Sequence, residues 1–123
     1  MSYVDGYVVP VQKRRVKEYR KMATLGKKTW LKHGALDYKE CVGDDLKPQW
    51  GKPFTRVMKL KPGETVFFSY IVFKSKAHRD RVNKKVMKEM AAMAAPPEMP
   101  FDGKRMAYGG FKTLVECRGC GLS

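Results

Sequence analysis

The sequence is poor in acids, in cysteine and in long apolar runs. Only 12 Asp and Glu stand against 26 Lys and Arg, a net charge of +14 over 123 residues. Such a surface draws polyanions, including nucleic acid and anionic membrane, by charge alone. No apolar run approaches the roughly 20 residues needed to cross a bilayer, which excludes a spanning helix. The first residues, MSYVDGYVVPVQKRR, lack the basic, apolar and small order of a signal peptide, so a cytoplasmic location is expected. The cysteines are Cys41, Cys117 and Cys120, an odd number that predicts free thiols in a chain without an export signal. Neither GxGxxG nor GxxxxGK[ST] occurs, which removes the glycine-rich phosphate loops. No Ser/His/Asp or Cys/His set has a local signature, so nucleophilic catalysis lacks support. The lone C-x-x-C at Cys117 and Cys120 falls short of the four ligands of a structural zinc, and neither a metal site nor a cofactor is expected.

What is present is a globular chain, 43% hydrophobic with dispersed aromatics. Its length suits one domain, expected over residues 1–116, with a loose tail at 117–123. YVDGYVVP (3–10) reads as a strand, rich in β-branched and aromatic residues and closed by proline. Residues 13–33 read as a helix, with Val16, Tyr19, Ala23, Gly26 and Trp30 recurring on one face and Gly34 ending it. ALDYKECVGDD (35–45) alternates as a more polar second strand, near an edge. FTRVMKLKPGE (54–64) predicts a short strand closing on Lys61-Pro62-Gly63, and TVFFSYIVF (65–73) a central strand covered on both faces. Ser75 is placed to cap a second helix over 76–91, with Val82, Val86 and Met90 as its stripe and a break at the following prolines. A last strand runs from about Met106 to Glu116.

This order, β-α-β-(β)-β-α-β, predicts an α+β fold: a ferredoxin-like antiparallel sheet with two helices on one face. The first, third and last strands are apolar on both faces, and two helices cover only one. A second copy of the same sheet is the economical cover, so a homodimer through the sheet face is expected.

Four stretches carry a resemblance: YVDGYVVPV at the start, KEYRKMA in the first helix, HGALDYKECVGDD through the second strand, and MPFDGKRMAYGGF near the end. Together they resemble the YbaA-like family of small bacterial proteins of unknown function, from Tyr3 to about Glu116. The resemblance implies a dimeric α/β-barrel, in which two ferredoxin-like sheets pack face to face. It implies no activity, since such barrels serve unrelated chemistries. The chain departs from the family in its high basic charge and its cysteine-bearing tail.

The candidate site residues follow from the elements. Asp5 is an acid in an apolar strand; it is either a salt-bridged structural carboxylate or an acid–base group with a shifted pKa. Glu40 poses the same choice on a better solvated strand. His33 is either a general base or a cation complementing a helix C-terminus. Trp30, His33, Tyr70 and Tyr108 are placed to reach a pocket between helices and sheet, with Asp5 and Arg105 as polar anchors for a small organic ligand. A cofactor-free enzyme there would move protons through His33 or Asp5. Arg105 is also expected to pair with a nearby carboxylate such as Asp102, and Gly109-Gly110 to permit a bulge or a close approach. The alternative function is binding of nucleic acid, RNA above all, through phosphates on the helix faces bearing Arg14, Arg15, Lys27, Lys28, Lys84 and Lys85. The bland reading of those cations is a solvated face.

Overall fold

The structure, a computed structural model, describes residues 1–93 and 98–117. Four strands, β1 (Tyr3–Gln12), β2 (Asp37–Val42), β3 (Glu64–Phe73) and β4 (Ala107–Lys112), form one sheet in the order β2-β3-β1-β4. Every neighbouring pair is antiparallel. Three α-helices accompany them: α1 (Val16–Lys32), α2 (Phe54–Val57) and α3 (Lys76–Ala91). The fold is therefore α+β, as the element order implied. Among the described residues no helix is long and apolar enough to cross a membrane.

The pleat assigns the faces. Val9, Val11, Phe67, Ile71 and Phe73 share one side with Tyr19 and Ala23 of α1 and with Val82 and Val86 of α3, forming the core. Phe73 and Val86 are fully buried, each contributing roughly 1.5–3 kcal/mol of hydrophobic stabilisation. Ser75 caps α3 as expected, accepting from the amide of His78 at 3.1 Å. Gly34 lies at φ 112°, the left-handed conformation that ends α1. The expected helix over 13–33 is split: Lys13–Arg15 form a 3-10 turn before α1.

The other side of the sheet carries Val4, Val8, Phe68, Tyr70, Val72 and Phe111. Only part of it is covered. The ring of Phe54 in α2 meets that of Phe68 at 6.3 Å, yet Phe68 keeps 47% and Phe111 63% of its surface exposed. The Phe111 ring also lies over Gly6 and Gly109, 3.7 Å from where a side-chain carbon would begin at either.

Segment 54–64 is where the sequence pattern misleads. The amides of Arg56 and Val57 donate to the carbonyl of Pro53, starting a helical turn instead of a strand. The β-branched Thr55 and Val57 mimic a strand, but the adjacent Pro53 carbonyl takes the first amides of the segment into a turn. Cys117 is disulfide-bonded, against the expectation of free thiols, while Cys41 is free and exposed. The helix-breaking prolines at 96 and 97, Cys120 and most of the expected loose tail lie outside the described residues.

Candidate functional site

On the helix-facing side, one row of side chains crosses all four strands in register: Glu40 on β2, Ser69 on β3, Tyr7 on β1 and Tyr108 on β4. Polar residues here are unusual for a buried layer and mark where chemistry is possible. The row ends differently on its two sides.

At the β2 end, Glu40 accepts two phenolic hydrogen bonds. Tyr19 of α1 donates to its Oε1 and Tyr38 of β2 donates to its Oε2, both at 2.8 Å. Burial, and after it the charge of Glu40, push both phenols well above the ordinary tyrosine range, so they remain proton donors. The contact needs Gly26: a side-chain carbon there would stand 3.0 Å from the Tyr38 hydroxyl. Glu40, Tyr19 and Tyr38 border a cleft of about 400 Å³ between α1 and β2. Its apolar lining is Val16, Ala23, Val42 and Phe67, and Arg20, Thr24 and Lys27 stand along α1.

In the neighbouring row of the same face lies a closed network. Asp5 is 2% exposed. Asn83 of α3 donates to its Oδ2 at 3.4 Å, and the Nε of Arg79 lies 3.6 Å from Oδ1. Trp30 Nε1 donates to Asn83 at 3.0 Å, and Arg79 donates to the Tyr3 hydroxyl at 3.1 Å. Desolvation raises the Asp5 pKa against the opposing pull of Arg79 and Asn83. Gly110 makes this possible on β4, because a side chain there would run into Tyr3 and Arg79. Of the glycine pair, Gly110 therefore serves a close approach of side chains, while Gly109 lies under the Phe111 ring at ordinary contact distance.

The remaining predicted residues are dispersed. His33 follows α1 and its Nε2 meets Glu89 of α3 at 2.9 Å, beside Lys32 at 2.8 Å. His33 and Asp5 thus belong to separate clusters with separate partners. Tyr108 faces the helices and stacks on Tyr7 with centroids 5.7 Å apart, but is 69% exposed. Tyr70 points to the opposite side of the sheet, with Lys39 5.5 Å above its ring. Arg105 does not pair with Asp102. It grips Glu64 of β3 with two bonds of 2.6 and 2.8 Å and donates to the Lys59 carbonyl, while Asp102 accepts from the amide of Lys104 to cap the turn. Arg105 therefore ties the loop before β4 to the start of β3.

Of the six residues expected at a pocket, Trp30 and Asp5 meet through Asn83, and none lines the α1–β2 cleft. The cations are unevenly used. Arg15 binds Glu18, Glu98 and the Met99 carbonyl, whereas Arg14, Lys28, Lys84 and Lys85 are exposed. Tyr19 and Tyr38 went unrecognised because each fits a core stripe. The usable signal was the Tyr38-x-Glu40 spacing, which puts both groups on one face of a strand.

Residues 2–103 match the model of a family described as a protein of unknown function (DUF1428). The chain belongs to this family. It is 38% identical over 116 residues to the uncharacterized protein YbaA of Escherichia coli (strain K12), covering 94% of this chain and 99% of that one. The uncharacterized YbaA of Shigella flexneri matches to the same extent. The YbaA-like resemblance is thereby shown for nearly the whole chain. Among solved structures, a de novo designed protein, Foldit4, aligns over 94% of this chain with a TM-score of 0.43 and 12% identity.

Proposed function

We propose that this family member is a homodimer that binds a small organic molecule in the cleft between α1 and β2. The observation that carries the reading is the carboxylate of Glu40, held by two phenols at the wall of a partly apolar cleft of about 400 Å³. Ligand sites have this character: mostly apolar, with a few fixed polar groups. Any proton transfer there would fall to Glu40, because His33 and Asp5 are engaged elsewhere. A fragment screen read by NMR tests the site. Saturable shifts at Tyr19, Tyr38 and Gly26 support it, and their absence across the screen overturns it.

The ferredoxin-like, dimeric-barrel architecture belongs to the same proposal. The strand order β2-β3-β1-β4, with helices α1 and α3 on one side, supports the subunit. The apolar open face supports the dimer: repulsion between two copies of net charge +14 is least where the contact carries few unpaired cations. Of the strand residues on that face only Lys39 is cationic, and Asp37 neutralises it at 3.0 Å. Sedimentation showing a stable monomer at micromolar concentration overturns the dimer.

A second reading, phosphate-mediated nucleic-acid binding, draws on the exposed Lys28, Lys84 and Lys85 of α1 and α3. It requires duplex affinity that falls steeply with salt. No binding at low salt removes it.

A further inference from the structure

We propose that the α1–β2 cleft selects a small organic monoanion that also carries a hydroxyl donor: a hydroxy-carboxylate. This inference rests on the reading of the cleft as a ligand site and names the ligand's chemistry.

The donor requirement comes from Glu40. Each carboxylate oxygen has two acceptor positions. Tyr19 occupies one on Oε1 and Tyr38 one on Oε2. The two phenols fix the carboxylate in place and leave each oxygen able to accept one more bond. A ligand that meets this wall with a donor gains a charge-assisted hydrogen bond, and one that meets it with an acceptor is repelled.

The anion requirement comes from α1. Arg20 and Lys27 line the same cleft two turns apart, and neither forms an ion pair with a carboxylate of the described residues. Thr24, between them, donates to the Arg20 carbonyl at 2.8 Å, which leaves its hydroxyl oxygen to accept. Two cations against one carboxylate leave a single positive charge. A monoanion neutralises it. A phosphate dianion brings one charge too many beside Glu40, and a polyanion finds a carboxylate in its path. Between wall and rim, Val16, Ala23 and Phe67 offer a surface for the carbon body.

The experiment titrates the full chain with three matched probes by NMR and calorimetry. Mandelate carries both groups, phenylacetate lacks the hydroxyl, and 1-phenyl-1,2-ethanediol lacks the charge. The expected result is mandelate binding about tenfold or more tighter than either, the scale of one hydrogen bond to a charged group. The preference over phenylacetate is lost in Glu40→Gln and the preference over the diol in Arg20→Ala. Tyr38→Phe, which keeps the carboxylate but frees one of its oxygens, weakens hydroxyl selectivity without abolishing anion preference. Equal binding of all three probes overturns the ligand class and leaves the cleft standing as a site. No saturable binding of any probe at millimolar concentration overturns both.

Discussion

Asp5 and Glu40 are both strand carboxylates on the helix-facing side of one sheet, in neighbouring register rows, and the molecule uses them in opposite ways. Asp5 is sealed, with Arg79 and Asn83 of α3 turned onto it and Trp30 and Tyr3 behind them. Glu40 is only half-buried, satisfied by two neutral phenols, and borders a cleft. Their difference lies in what the chain leaves over. The partners of Asp5 are charged or amide groups that close around it. Those of Glu40 fix the carboxylate with one bond to each oxygen, which leaves each oxygen able to accept another beside the cleft. The sequence leaves Asp5 as either a salt-bridged structural acid or an acid–base group; its surroundings fit the first, and accessibility marks Glu40.

The comparison breaks most readily at Asp5. Asp5→Ala leaves Arg79 with only the exposed Asp80, 3.4 Å from its Nε, as an opposing charge, and leaves the Asn83 amide short of an acceptor. Removing one member of a buried pair costs on the order of 3 kcal/mol, and the variant is expected to lose about that much in urea unfolding. A loss below about 1 kcal/mol, the range of a surface pair, would show that the network is not structural. The pH dependence has a defined sign. Because burial raises the folded pKa of Asp5 above 3.8, the native state binds its proton first, and this carboxyl adds stability as pH falls toward 3.8.

Glu64 sharpens the contrast with the reverse sign. The two hydrogen bonds from Arg105 hold its pKa at about 2, well below 4.5. Its contribution is fully present above about pH 4.5 and is lost as pH falls through about 2. Arg105→Met should cost roughly 2 kcal/mol at neutral pH, allowing for solvent screening. It should also flatten the acid limb of the stability curve between those two values. An acid limb unchanged from the parent chain would mean that Arg105 does not hold Glu64.

How much of this was legible depends on whether the partner is local. Helix α3 emerged with its bounds because Ser75 and the Val82–Val86 spacing lie within the element itself. Strand β3 was readable from its apolar run for the same reason. The turn at Phe54–Val57 was not, since its nucleus is the Pro53 carbonyl while the side chains Thr55 and Val57 favour strands. The sequence points Arg105 to a nearby carboxylate such as Asp102, three residues away, whereas it binds Glu64, 41 residues away. The candidate site failed similarly. Glu40 was noticed as a strand acid, but Tyr19 reaches it from another element, and only the packing of α1 on β2 through Gly26 brings them together. Which strand face meets the helices was also open in the sequence, since β1 and β3 are apolar on both. That parity decides that Asp5 and Tyr108 face the helices while Tyr70 turns away.

The smallest effect is the most discriminating. Glu40→Gln keeps the volume of the side chain and one carbonyl oxygen for a phenol. The second phenol then faces an amide group on a half-buried edge strand, where water can replace the lost acceptor. A neutral hydrogen bond exchanged with solvent is worth about 1 kcal/mol, so Glu40→Gln should cost about that or less. Equilibrium unfolding of Glu40→Gln and Asp5→Ala under the same conditions provides the measurement. A Glu40→Gln cost equal to that of Asp5→Ala would make Glu40 another architectural acid and remove the reason to look for a ligand beside it. A small cost, with the native dispersion of the tyrosine resonances retained, leaves a fixed carboxylate that the fold does not need for stability.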